Sequence, residues 1–178
     1  MTSKSSLQKA AMADVRAGKP RPEVFATYRD RVSPAKHLAF SIASVADPER
    51  QKKGVKLNNV LFYLLLFAAA TKALLALALF GTSFVGGLMM LVLGLFVPIA
   101  LAVAVRKFDG QIYPFLMLLA GIGAIRALMM ITEQGSWMLL DAALLAAIAL
   151  LAFRVQRIVF PNINWFSVRK DPQGDYVW

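Results

Sequence analysis

Between about Val60 and Val155 the chain is an almost unbroken apolar run, and the charges deep inside it are Lys72, Arg126 and Asp141. A water-facing domain covers its outside with polar residues at helical spacing, and this stretch has too few of them. Lipid is the solvent that accepts such a surface. A charge inside a lipid-facing helix costs ~2.5–3.5 kcal/mol on insertion scales, so each of the three is expected to pair or to serve a function. The sequence reads as a small polytopic membrane protein.

A helix crosses ~30 Å of hydrocarbon with about 20 residues. Four segments qualify, at 60–80, 84–105, 112–131 and 137–156. Short breaks separate them: Gly81-Thr82-Ser83, Arg106-Lys107-Phe108-Asp109-Gly110-Gln111 and Thr132-Glu133-Gln134-Gly135-Ser136. Each holds a glycine, which permits a tight reversal. Loops this short make sequential helices antiparallel. The expected fold is an all-α integral membrane protein. Its antiparallel four-transmembrane-helix bundle (57–157) stands between a basic helical arm (1–56) and a short, hairpin-like aromatic tail (158–178).

Charge sets the expected orientation. Residues 1–56 hold twelve Lys/Arg against five Asp/Glu, and the chain carries a formal +10 overall. The arm, the Arg106/Lys107 loop and the end with Arg154, Arg157, Arg169 and Lys170 fall on one side, while the other two loops contain no Lys or Arg. By the positive-inside rule both termini are cytoplasmic. The same rule accounts for the basic arm without nucleic acid as a partner. Residues 1–22 lack the apolar core of a secretory signal. Asp14 and the Ala/Leu-rich spans favour a bacterial inner membrane over a mitochondrial address.

In the arm, residues 21–46 read as two short helices. Pro22 suits the first turn of one, and Ser33-Pro34 opens the other, with Leu38, Ile42 and Val45 on one side and Lys36 and Ser41 opposite. Asp47-Pro48-Glu49 is a further helix start. The second arm helix is expected to dock on anionic lipid headgroups, to cap the bundle, or to remain a solvated connector. In the tail, Asp171-Pro172-Gln173-Gly174 fits a type I turn between Trp165–Lys170 and Asp175–Trp178. Trp165, Phe166, Tyr176 and Trp178 make it a candidate interaction surface or interfacial anchor.

With ~1.5 Å rise per residue, Lys72 lies about 12 Å inside the outer end of its span, Arg126 about 8 Å and Asp141 about 6 Å, with Glu133 at the rim above them. Ala68, Ala69 and Ala76 share a face with Lys72, and Gly123 with Arg126. Small residues allow close helix approach, so both cations are expected to point inward. The four charges form either a structural ion network or a pocket for an anion or lipid headgroup. Gly94 and Pro98 mark a bend or hinge in the second span.

Catalytic equipment is scarce. The chain has no cysteine and a single histidine, His37, which excludes disulfides, thiol catalysis and the common zinc sets. Met89, Met90, Met129, Met130 and Met138 crowd the outer half. Adjacent methionines point about 100° apart, so neither pair aims both sulfurs at one copper ion. No phosphate-cradling glycine loop occurs. Glu133 and Asp141 beside two cations would both stay ionised, which is wrong for a general acid. No catalytic residue, metal or cofactor is expected.

The leading functional expectation is a non-enzymatic accessory, regulatory or toxin-immunity type subunit acting through contacts within the bilayer. Its partner would be another membrane protein or a second copy. Small-residue faces such as Ala142/Ala146 and Ala143/Ala147 support it. The alternatives are a homo-oligomeric channel or small transporter with a charged outer pocket, and a lipid-binding or lipid-modifying membrane enzyme. Compact four-span chains serve as immunity proteins against pore-forming toxins, as transport subunits and as parts of envelope machines, a likeness of size and topology only.

Overall fold

Prolines and short polar side chains punctuate the chain where its helices begin. The computed structural model describes residues 4–81 and 83–178, so the first three residues of the arm and Thr82 of the first outer turn lie outside the described residues. Helix α1 (Lys4–Arg16) opens the arm, followed by α2 (Arg21–Tyr28), with Pro22 in its first turn, and α3 (Ala35–Ala43), entered from Pro34. Asp47 starts α4 (Pro48–Phe80): its carboxylate accepts from the amides of Glu49 at 3.0 Å and Arg50 at 3.2 Å. These are the otherwise orphaned donors of a helix start. The juxtamembrane helix and the first apolar span are thus one rod.

Four helical stretches are long and apolar enough to cross a membrane, by length and composition. After α4, Ser83 caps α5 (Phe84–Leu91) by accepting from the Gly86 amide at 3.1 Å. A π-helical turn (Val92–Phe96) joins α5 to α6 (Val97–Arg106). Helix α7 (Ile112–Met129) ends two residues before the boundary expected at 131, and a one-turn α8 (Ile131–Gln134) fills part of the expected loop. Helix α9 (Met138–Val159) runs three residues past the expected end. All four apolar windows turn most of their residues outward, and the second is only 17% buried.

Close approaches fix how these helices lie. A Cβ at Gly54 would stand 2.5 Å from Val159 and one at Gly123 3.0 Å from Leu145, so α4 and α7 each press on α9. The α7 stripe facing inward is Tyr113, Leu116, Ala120, Ala124 and Ala127, at three- and four-residue spacing. The second span leans on α4 and meets α7 chiefly beside the loop that joins them.

The arm is part of this core. Ala39 and Ala43 of α3 pack with Leu61, Val105, Phe108 and Tyr113, while Leu38 and Ile42 bury themselves against Ala11, Val24 and Val32. Helix α3 therefore caps the bundle, one of the placements expected for it, and its apolar side is used up in that contact. The loop after α6 closes on it. The Gly110 amide donates to the Ser44 carbonyl at 3.1 Å, and a Cβ at Gly110 would stand 2.8 Å from Ser44 backbone atoms. Arg21 donates to the Val45 carbonyl at 2.8 Å, and burial, then the nearby Arg50 charge, holds its guanidinium below the usual arginine value.

The tail departs from expectation. Strands β1 (Ile163–Asn164) and β2 (Ser167–Val168) pair antiparallel, so Trp165 and Phe166 form the tip of a hairpin rather than part of a strand. The expected turn at 171–174 is also present, closed by the Gly174 amide on the Asp171 carbonyl at 3.0 Å, with a bridge between Lys170 and Tyr176.

Candidate functional site

The buried alanines of α4, Ala68, Ala69 and Ala76, let neighbouring helices come close on the side that carries Lys72. Across that gap Asp141 sits in the first turn of α9, where the helix dipole favours a negative charge. Lys72 Nζ donates to Asp141 Oδ1 at 2.7 Å, and the two side chains keep 19% and 15% exposure. Inside an apolar surround, such a pair survives because each charge compensates the other.

Gly94 completes the site. A Cβ there would stand 2.7 Å from Lys72 Cβ, so the glycine is what admits the lysine stem between α4 and the π turn. Pro98 has no N–H to offer the Gly94 carbonyl four residues earlier. The widened turn at Val92–Phe96 occupies the segment where the ordinary helical ladder would have failed. Gly94, Pro98 and Lys72 are therefore one local arrangement.

Arg126 and Glu133 stand apart. Arg126 is exposed, and no carboxylate lies within ion-pair reach of it among the described residues. The inward orientation expected from Gly123 is corrected. The small-residue stripe of α7 runs through Ala120, Ala124 and Ala127, and Arg126 lies off it on the exposed side with Ile122 and Met129. Glu133 is also exposed, on α8. The charges thus resolve into one neutral pair and two outward groups, which leaves the pair no surplus positive charge for an anion.

One turn along from Lys72, an apolar crevice of about 130 Å³ runs between the second and third spans, walled by Ala68, Leu93, Pro98, Leu116 and Leu119. Its lining suits a hydrocarbon group rather than an ion. Of the methionines, Met138 is buried and Met89 and Met129 are exposed. Among the described residues no three His, Cys, Asp or Glu side chains gather as a metal set.

At the other end, Asn58 carries a polar network that sequence reasoning missed. Tyr113 Oη donates to Asn58 Oδ1 at 2.7 Å, and Asn58 Nδ2 donates to the Val105 carbonyl at 2.9 Å. Three apolar helices are tied there by one buried amide. The Asn58-Asn59 pair at the edge of the first apolar run, with a Tyr just inside the third, was the available signal. Of the tail aromatics, Tyr176 and Trp178 pack on Phe25 of α2 with ring centroids 5.2 and 5.4 Å away. Trp165 and Phe166 remain exposed.

Compared with protein-family models, with characterised proteins and with solved structures, the chain matches none of them.

Proposed function

We propose that this chain is a bacterial inner-membrane protein whose four apolar helices cross the bilayer as an antiparallel bundle with both termini cytoplasmic. It acts without catalysis, through contact with another membrane protein. The packing supports the antiparallel reading: Gly54 meets Val159 while Lys72 meets Asp141, so the numbers on α4 and α9 run in opposite senses. The exposed apolar faces of all four helices support insertion, since they would be a liability in water.

Arg126 carries the functional reading. It is a cation without an ion-pair partner among the described residues, on an exposed apolar face of α7 between Ile122 and Met129. Charges at such depth face a protein interior or a partner; Asp141 belongs to Lys72, and Glu133 makes no ion pair with Arg126. A carboxylate or backbone carbonyl on a partner helix is the group that Arg126 fits. The alternative, a homo-oligomeric channel or small transporter, would have to use Arg126 on a path between protomers, because Arg126 is exposed and is not joined to the Lys72–Asp141 pair.

The test is the complex itself. Purified from its native membrane in mild detergent, the tagged chain is expected to run as a one-to-one complex that Arg126→Leu dissolves while the chain stays folded. A symmetric homo-oligomer insensitive to Arg126→Leu would restore the channel. A reporter fused after Trp178 should behave as cytoplasmic and one within residues 134–136 as external; the reverse would overturn the orientation.

A further inference from the structure

Where α9 ends, the tail hairpin folds back and encloses a cavity of about 270 Å³ whose walls include Gln156, Arg157, Asn164, Trp165 and Arg169. We propose that this cavity binds a phosphate ester, as presented by a glycerophospholipid headgroup or by a soluble glycerol phosphate.

Three observations converge on that chemistry. First, two arginines, Arg157 and Arg169, line the cavity. No acidic residue lines it, and neither arginine has a carboxylate partner among the described residues. The fold holds them there: Arg157 lies over the Phe153 ring at 5.2 Å, and the Arg169 amide donates to the Asn162 carbonyl at 2.9 Å. Arginine pairs suit phosphate because the planar fork matches its oxygens, often bidentately.

Second, Gln156 in the cavity wall is only 4% exposed, and its Oε1 is buried with no hydrogen-bond partner among the described residues. Its amide nitrogen makes one long bond, 3.5 Å to the Ile163 carbonyl. Buried acceptors are normally satisfied. Rotation of the Gln156 amide, whose one bond to the Ile163 carbonyl is long, would bring it to a ligand hydroxyl or ammonium, and headgroups carry these beside their phosphate.

Third, the cavity lies at the end of an apolar span, next to Trp165 and Phe166 at the exposed hairpin tip. Trp165 takes a φ of +53°, a backbone region that bulky residues rarely occupy. Strain of this kind collects at ligand clamps. Amphipathic aromatics at this level lie among headgroups, and basic groups there attract anionic lipid. This placement rests on the membrane insertion proposed above.

The experiment titrates the full-length protein, purified in mild detergent, with phosphatidylglycerol and separately with glycerol 1-phosphate, read by native mass spectrometry. The Arg157→Gln/Arg169→Gln variant is compared with Arg106→Gln/Lys107→Gln, which removes the same charge from the end of α6 and the residue after it. One saturable ligand per chain is expected, bound at least tenfold more weakly by the first variant and unchanged in the second. Both arginines are exposed, so the first variant should keep the wild-type elution volume; if it does not, Arg169→Gln alone carries the comparison. Phosphatidylglycerol bound without glycerol 1-phosphate assigns a lipid headgroup, the reverse assigns a soluble ester, and either supports the site. No saturable binding of either, or equal weakening in both variants, overturns it. Carbonate extraction of the native membranes keeps the premise separate: a chain released by carbonate sinks the membrane reading, whereas a retained chain that binds neither ligand sinks this inference alone.

Discussion

The two ends of the helical bundle hold together by different means. At the arm end, α3, the loop after α6 and the tail close over the helices. Large side chains such as Leu61, Tyr113, Val155 and Phe160 are buried there around the Asn58 network. At the far end the buried cluster is Ala127, Met138 and Ala142, with the Lys72–Asp141 pair nearby. Water-facing parts can use the hydrophobic effect to pack large residues. In the membrane arrangement proposed above, that force is absent between the helices inside lipid, and small-residue contact with a few polar ties must suffice. The contrast teaches where single substitutions should hurt.

The largest effect belongs to the far end. Asp141→Asn leaves the half-buried Lys72 without its charge partner and should lower stability in mild detergent by at most about 3–5 kcal/mol. Adding Lys72→Met should recover much of that loss, because the energy belongs to the pair. A loss well under 1 kcal/mol in a thermal unfolding series would mean that the far end is held by packing alone, and the contrast between the ends would collapse.

At the arm end, Gly110→Ala should cost about 1–3 kcal/mol by overpacking. The added methyl meets backbone atoms of Ser44 as well as the Phe160 ring, and backbone cannot step aside like a flexible side chain. Unchanged unfolding would show that the arm rides loosely on the bundle. Asn58→Leu strands the Tyr113 hydroxyl and removes a bond to the Val105 carbonyl. A loss of about 1–3 kcal/mol is expected, partly relieved by adding Tyr113→Phe. If the double variant is no better than the single, the network does not act as a unit.

The smallest effect concerns pH. Hydrogen bonds from Lys19 and Tyr28 hold the Asp14 carboxyl below its ordinary 3.8. Its contribution is complete above that ordinary value and is lost as pH falls through the lowered folded value. The docking of α1 on α2 should therefore persist at pH 5 and weaken only in strong acid. Hydrogen exchange across α1, corrected for intrinsic rates, would show this; equal protection in strong acid would mean that the apolar contacts of Ala11 suffice.

How much of this was legible in the chain follows the same division. The four apolar helices could be read because about 20 apolar residues in a row have one physical use, and Asp47-Pro48-Glu49 carries its own start signal. Arg126 misled because Gly123 suggested the inward face; an inward stripe is defined by a whole series, here Ala120, Ala124 and Ala127. The hairpin tip at Trp165-Phe166 was hidden, since neither residue is a turn former. Helix α1 and the Asn58 network depend on partners distant in sequence, which local pattern does not report. Lys72 and Asp141 are 69 residues apart, and their meeting could be framed only as one of several pairings.

Helix α4 runs unbroken for 33 residues, about 50 Å at 1.5 Å per residue, against ~30 Å of hydrocarbon. In the membrane arrangement proposed above, its first turns stand outside the bilayer as a stiff continuation of the span, and the arm is built around them. A reorientation of ~20° within the membrane, ordinary for such helices, would swing a tip ~18 Å beyond the boundary by ~6 Å. The long helix is a lever, and movement in the lipid plane arrives at the arm as displacement rather than being absorbed by a joint.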